Sequence, residues 1–329
     1  MTVVTRYLVL ALVAVVVATP AWSAAQDQPS TEDATATTTL SRQVGPHRFA
    51  GAASIPNPFL STFVRSSTGI ASTSGMEVGL FNFEDPPVLL ATKQVDLMYL
   101  IQAFEFQQRT GDNLAWRLAL TGSGRLGTDT AALLTEGVSA IMGWTLGCTV
   151  RLVERPGFQL SGTLDANRNA LTVISIRSFI EDAVANPDTT TSISEDLSNL
   201  RVNTGLRAAW GRSETIGYLL SADLGFQEPY DDTEDTEVYW QAGGAVSIDM
   251  RERWRPDLGF LVNANYVSSS SRNEDLGGGG WTTGLGIFYT GRPELTVGIQ
   301  TMYTRLQQTT SDEKFGAFGL NLVLRYDFS

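Results

Sequence analysis

Apolar and polar residues alternate along the chain from Met76 to the C-terminus, in segments of roughly 9 to 17 residues. In residues 295–303, for example, Leu295, Val297 and Ile299 share one face, while small and polar residues stand between them. Successive side chains of a β-strand point to opposite faces, so this period of two predicts strands that are apolar on one side only. The chain is therefore expected to be all-β over this region.

The predicted strands suit a membrane better than a soluble β-sandwich, whose strands also alternate. A tilted strand of about 9 to 11 residues crosses the hydrocarbon layer, whereas sandwich strands usually end near 5 to 6 residues. The polar faces contain Gly, Ser, Thr, Asn and Gln, with scattered Arg and Asp. Aromatic residues such as Trp210, Trp240 and Tyr289 lie near the ends of the apolar faces, as interfacial girdles require. The pattern favours a transmembrane β-barrel.

The connections between these segments alternate in length when they are counted back from the C-terminus. The short connections are residues 290–294, 251–257, 211–215, 154–157 and 109–113. The long connections are residues 306–313, 268–280, 227–237, 176–199 and 124–136. Barrels of the outer-membrane type have short turns at one end and long loops at the other, so the alternation predicts an antiparallel meander.

The segments give a count of about 12 strands, an even number that places both chain ends at the short-turn end. Two regions leave 14 strands open as an alternative: residues 59–73 as an extra strand, and residues 170–179 paired back on residues 158–166. Apolar residues at Ile176, Phe179, Ile180 and Val184 have helical spacing, which predicts a short helix near residues 176–186.

The last strand carries the most specific signal in the sequence. Its apolar positions alternate strictly and are Leu320, Leu322, Leu324, Tyr326 and Phe328. This strand resembles the C-terminal recognition strand of the bacterial outer-membrane β-barrel superfamily, although here Ser329 follows the terminal aromatic. The resemblance implies a porin-like architecture and recognition by the barrel insertion machinery, and it points to no specific family within the superfamily. It does not imply a substrate.

The N-terminus has the features of an export signal. Arg6 precedes an apolar run from Leu8 to Ala18, which is too short to span a bilayer, and Pro20 and small residues suited to cleavage follow. Residues 1–25 are therefore predicted to be a signal peptide. Residues 26–70, which begin with a stretch rich in Ser and Thr, are predicted to be a disordered or periplasmic segment, and residues 71–329 the barrel. The expected location is the cell outer membrane.

The composition argues against several kinds of chemistry. A net charge of -12 without a basic stripe does not suit nucleic acid. The glycine-rich segment 122–127 matches a dinucleotide motif in letters only, because the strand before it carries Arg117 in alternation. His47, the one histidine, lies in the N-terminal segment, so no Ser-His or Asp-His pair on the barrel is expected. We expect no enzyme activity, no cofactor and no metal site, with a histidine-independent hydrolase left as a minor alternative.

Charged residues on the polar faces are the candidate functional residues. A charge facing lipid at the membrane midplane costs about 2 to 4 kcal/mol, so these side chains are expected to face inward. The candidates for lining the lumen are Arg117, Arg151, Asp165, Arg201, Arg207, Asp223 and Asp249. They would either line an open pore or pair with one another and fill a narrow barrel, and the sequence leaves both interpretations open.

The leading functional hypothesis is a porin-like channel or transporter for small solutes. The alternative is a structural or surface-binding barrel with a filled lumen and acidic extracellular loops, such as residues 228–237 with six carboxylates. A fatty-acid type of transporter is a third hypothesis, because an N-terminal segment precedes the barrel. Expected partners are the lipid bilayer, lipopolysaccharide and the insertion machinery, with small solutes as cargo.

Overall fold

The structure is a computed structural model that describes residues 42–50, 55–81, 89–126, 138–174, 194–228, 237–251, 257–270, 279–307 and 314–328. Contacts divide the chain into two units, Met1–Thr39 and Leu40–Ser329, and all the described residues belong to the second unit. The predicted signal peptide therefore lies outside the described residues and stays a prediction.

Fourteen β-strands make up the regular structure of the described residues. Two short strands, β1 (Gln43–Val44) and β2 (His47–Arg48), form a separate hairpin. The long strands are β3 (Thr62–Phe81), β4 (Leu89–Arg109), β5 (Leu114–Leu126), β6 (Val138–Arg155), β7 (Phe158–Ile174), β8 (Ser194–Gly211), β9 (Ile216–Gln227), β10 (Glu237–Asp249), β11 (Leu258–Ser270), β12 (Gly279–Tyr289), β13 (Leu295–Gln307) and β14 (Lys314–Phe328).

The twelve long strands form a closed antiparallel barrel in which each strand pairs with its neighbours in sequence. The last strand, β14, closes the barrel by pairing with β3 from Phe328↔Thr62 to Gly316↔Ser74. Because closure leaves no free sheet edge, every strand has partners on both sides, as a hydrocarbon environment requires. The prediction of an all-β meander barrel of 12 strands is confirmed.

The two regions that left 14 strands open belong to single long strands. Residues 62–73 are the first half of β3, and residues 170–174 continue β7, whose Ala170 pairs with Ser198 of β8. The alternative of 14 strands is therefore wrong. The predicted helix near residues 176–186 lies outside the described residues.

The barrel begins at Thr62, nine residues before the start at 71 that the sequence suggested. The reason lies in the outward-facing positions of β3, where Ser66 and Thr68 stand between Val64 and Ile70. These two hydroxyl residues hydrogen-bond to Gln102 on β4, with Thr68 Oγ1 lying 2.5 Å from Gln102 Oε1. The polar positions hide the apolar alternation that marks the other strands.

The outer surface of the barrel carries large apolar side chains. On β14 the outward residues from Leu320 to Phe328 are 40–55% exposed, whereas the intervening Asn321, Val323 and Arg325 are buried. Aromatic side chains gather at both strand ends: Trp240 contacts Tyr266 at the long-loop end, and Trp210 contacts Tyr218 at the short-turn end. This is the apolar band with flanking aromatic girdles that a bilayer covers. Among the described residues, no helix has the length and hydropathy that a membrane-spanning helix needs.

Candidate functional site

The strand register places all seven charged residues predicted for the lumen on the inner face. Pairing connects Arg151 to Ser161 and Ser161 to Arg207, and it connects Arg117 through Gly147 to Asp165. Ser161 and Arg207 are buried, whereas the residues next to each of them along its strand face outward. Whether these residues line a conducting pore stays a prediction.

A network of ion pairs in the middle of the inner face joins residues of four strands. Arg117 Nη2 on β5 lies 2.7 Å from Asp165 Oδ1 on β7, and Arg117 Nη1 lies 3.7 Å from Glu105 Oε1 on β4. Glu105 also pairs with Arg65 on β3. Arg65 and Glu105 were not among the sequence candidates, although Glu105 stands between Phe104 and Phe106 and the same alternation identifies it.

Two further arginines show opposite kinds of pairing. Arg207 Nη1 on β8 lies 2.7 Å from Asp223 Oδ1 on β9, and both side chains are buried. Arg201, six residues earlier on β8, instead bonds to the neutral amide of Gln227, and its guanidinium carbon lies 4.7 Å from the centre of the Tyr239 ring. Among the described residues, the charge of Arg201 therefore meets neutral partners.

The remaining two candidates lie near the short-turn end. Asp249 Oδ2 accepts a hydrogen bond from Arg251 Nε at 2.7 Å and is buried at the end of β10. Arg151 pairs with Glu154 of the same strand, next to a register shift between Arg151 and Val153. These two residues are structural neighbours of the turns rather than members of the central network.

Many inward side chains lie flat over a glycine of the neighbouring strand. A Cβ atom built on Gly225 would lie 2.6 Å from Tyr239 Cε1, and one built on Gly205 would lie 2.9 Å from the Asp223 carboxyl carbon. Phe288 covers Gly298 in the same way, with a distance of 2.8 Å from the built Cβ to Phe288 Cγ. Since glycine offers no side chain, the larger neighbour lies against the wall, which keeps its bulk away from the barrel axis.

Residues 42–50 and 55–61 lie across the short-turn end of the barrel, and we call them the N-terminal plug. The sequence suggested disorder here because the segment begins with a stretch rich in Ser and Thr, yet the plug contains Phe49, Ile55 and Phe59. All three are at most 3% exposed, since they pack with inward residues such as Leu219 and Leu261. Tertiary packing, which no local pattern reports, thus orders this part of the predicted N-terminal segment.

Polar contacts join the plug to strands around the barrel. Arg42 Nε lies 3.0 Å from Asp327 Oδ2 on β14, and Arg48 donates to the carbonyl oxygens of Thr290, at 3.0 Å, and Arg292. On the opposite side, Gln159 Nε2 and Ser161 Oγ donate to the carbonyl oxygen of Pro58 at 2.8 and 2.7 Å. Contacts with β7, β14 and the β12–β13 turn show that the plug spans the mouth rather than lying along one wall.

Glycines of both the plug and the barrel allow the two to approach closely. Gly45 and Gly157 both have positive φ, of 57° and 79°, and a Cβ on Gly45 would lie 2.9 Å from Gly157 Cα. A Cβ on Gly211 would overlap the carbonyl oxygen of Val44, and one on Gly217 would lie 2.6 Å from Phe49 Cζ. Larger residues at these positions would displace the plug. The surface that the plug packs against, which we call its seat, therefore requires glycine there.

His47 contradicts the expectation that no Ser-His pair occurs on the barrel. Its Nε2 atom lies 3.1 Å from Ser247 Oγ of β10, and its Nδ1 atom lies 3.0 Å from the carbonyl oxygen of Glu214. A carbonyl only accepts, so Nδ1 carries the proton and Nε2 accepts from the Ser247 hydroxyl. The sequence interpretation failed because it treated the segment around His47 as separate from the barrel.

This Ser-His pair has the hydrogen bond of a hydrolase but not the access. His47 and Ser247 are both 0% exposed, and Ser247 Oγ also accepts from the backbone N–H of Ala50 at 3.4 Å. A nucleophile needs room for a substrate carbonyl beside it. The pair therefore holds the plug in place. Within the described part of the chain, no three His, Cys, Asp or Glu side chains converge as metal ligands would.

No protein-family model matches the chain, and no curated protein matches it. Among solved structures, the KdgM porin in complex with disordered oligogalacturonate is 7% identical with a TM-score of 0.42, over 80% of this chain and 99% of that one. The β domain of the Bordetella autotransporter BrkA is 10% identical with a TM-score of 0.47, over 82% and 100%. The translocator domain of NalP from Neisseria meningitidis is 12% identical with a TM-score of 0.43, over 82% and 88%. Since the identities are 7–12% and the TM-scores lie below 0.5, these similarities say nothing of what this chain binds or carries.

Proposed function

We propose that this protein is an outer-membrane channel or transporter for small polar solutes. The observation that carries the proposal is the inner face, where polar and charged side chains such as Asp223 lie over glycines of the neighbouring strand. Arg117, at 19% exposure, and Arg201 are only partly covered in the described structure. A lumen of this kind offers water and hydrogen bonds to a passing solute.

A filled, structural barrel is the second candidate, and the N-terminal plug favours it. The plug covers the short-turn mouth with buried side chains, so the described structure has one blocked end. The two candidates differ in whether ions ever cross. Both candidates share three further proposals. The protein lies in the outer membrane, its long loops contact lipopolysaccharide, and the insertion machinery recognises β14.

Conductance of the purified, folded full-length chain in planar bilayers tests the channel. We expect discrete openings, and under a salt gradient we expect Arg201→Gln to lower the permeability of anions relative to cations. The physical reason is that Arg201 carries a lumen charge with neutral described partners, so its removal changes the field that a passing ion meets.

Arg168→Gln is the matched control, because Arg168 is an exposed arginine on the outer face, where its Nη2 donates to Ser198 at 3.3 Å. Its replacement is expected to leave ion selectivity unchanged. A folded sample without openings under any condition, including a variant with the plug displaced, would favour the filled barrel. Equal effects of the two substitutions would exclude Arg201 as a lumen contact.

A further inference from the structure

The N-terminal plug is held at its centre by one titratable side chain. His47 lies between the β8–β9 turn, through Glu214, and strand β10, through Ser247, and the edge of its ring meets the Phe49 ring with centroids 4.5 Å apart. Beneath it, Gly217 of β9 leaves the space that the imidazole occupies. His47 is the only histidine of the chain.

We propose that the N-terminal plug is a gate, and that the neutral form of His47 is the latch that holds it closed at the short-turn mouth. This inference rests on the proposed channel, because a gate has a role only where solute crosses. In the closed state, the neutral ring accepts the hydrogen bond from the Ser247 hydroxyl through Nε2. A proton on Nε2 would direct two donors at each other until the Ser247 hydroxyl turned away.

The charges around His47 act in opposite directions. Asp249 on β10, which is already engaged by Arg251, favours the protonated form of His47, and Arg251 itself disfavours it. The β8–β9 turn contributes the backbone of Ser213 and Glu214. Protonation would therefore place a further cation on a plug that already contains Arg42 and Arg48.

Burial lowers the pKa of His47 below its ordinary value, and the Glu214 carbonyl and the Asp249 charge offset this only in part. A released plug returns His47 to water, where its pKa is about 6.5. The closed state is therefore fully favoured above about pH 6.5, and it loses stability as the pH falls through that value towards the lower pKa of the closed state. Acid is expected to open the gate.

The experiment measures conductance of the folded full-length chain at about pH 8 and about pH 5, on either side of the histidine titration. We expect the open fraction of the native protein to rise by about tenfold or more at the lower pH. His47→Gln stays neutral, so its openings are expected to be equally rare at both pH values. Gly217→Val places a side chain where His47 and Phe49 lie, so this variant is expected to be open at both.

Gly122→Val is the matched control. It makes the same substitution in another barrel strand, at a position where a Cβ meets no atom within 4 Å. It should behave as the native protein does, and a shift in gel mobility on boiling verifies that each variant is folded. A pH response that persists in His47→Gln would overturn the latch. If Gly217→Val conducts while the native protein ignores pH, the latch fails and the channel stands. If no variant conducts, the channel and the gate fail together.

Discussion

At the scale of single residues, the inner wall depends on pairs that are costly to break. Arg207 and Asp223 are joined at 2.7 Å on neighbouring strands, and the Arg207 side chain is 1% exposed. Removing one partner of a buried pair leaves a charge without compensation, which costs more than removing both. The wall is therefore sensitive to single substitutions and tolerant of paired ones.

Asp223→Asn is expected to lower the free energy of unfolding by about 3 to 5 kcal/mol, because Arg207 keeps its charge without a carboxylate. The double variant Arg207→Met with Asp223→Leu should lie near the native protein. Urea unfolding in lipid vesicles, followed by tryptophan fluorescence, measures both. A single variant that unfolds at the native urea concentration would show that lumen water compensates Arg207.

At the scale of strands, the alternation of apolar and polar residues predicted most of the barrel. It failed where the outward face of a strand also contains polar residues. The closing strand β14 was readable because its outward positions from Phe318 to Phe328 are all apolar, and the structure exposes each of them. The first half of β3 was left as an alternative strand and not joined to the barrel, because Ser66 and Thr68 interrupt that face. The plug was missed for another reason: Phe49, Ile55 and Phe59 are ordered only by contacts with distant strands, which a local pattern does not contain.

The closing strand also supports a prediction about assembly. Replacing Tyr326 and Phe328 together by Ser should reduce the amount of barrel assembled in cells by about tenfold or more, while refolding of the purified chain into detergent changes little. The reason is that the two rings, 5.2 Å apart on the outer face, belong to the strand that resembles a recognition signal.

Tyr303→Ser provides the comparison for this experiment, because Tyr303 is an outward aromatic residue with 48% exposure on β13 rather than on β14. The fraction of heat-modifiable protein in membranes reports assembly. An equal loss for Tyr303→Ser would assign the effect to the apolar band in general, and the special role of β14 would be wrong.

At the scale of the whole molecule, the barrel separates an apolar exterior from a polar interior, and aromatic residues mark two levels on the exterior. Trp116 and Trp210 lie at the short-turn ends of β5 and β8, and Trp240 and Trp281 lie at the long-loop ends of β10 and β12. All four are 39–56% exposed. Indole rings prefer the interface between lipid and water, so the two levels mark where we expect the two membrane interfaces.

Brominated lipids test this arrangement through quenching of tryptophan fluorescence. We expect bromines near the headgroups to quench more strongly than bromines near the ends of the acyl chains, because four of the five exposed indoles of the described residues lie near strand ends. The folded chain in vesicles is compared with the same chain in urea, where both lipids should quench weakly. Stronger quenching by the deep bromines would place the girdles inside the hydrocarbon, and the assignment of the band would be wrong.

The seat of the N-terminal plug has a consequence for the order of biosynthetic events. The plug is translated before every strand of the barrel, yet Arg42 and Ser61 bond to Asp327 of the closing strand β14. Its seat exists only after β14 has joined β3, because contacts so remote in sequence form after the intervening chain is in place. An unfinished barrel therefore has an unblocked mouth, and docking of the plug marks the completion of assembly.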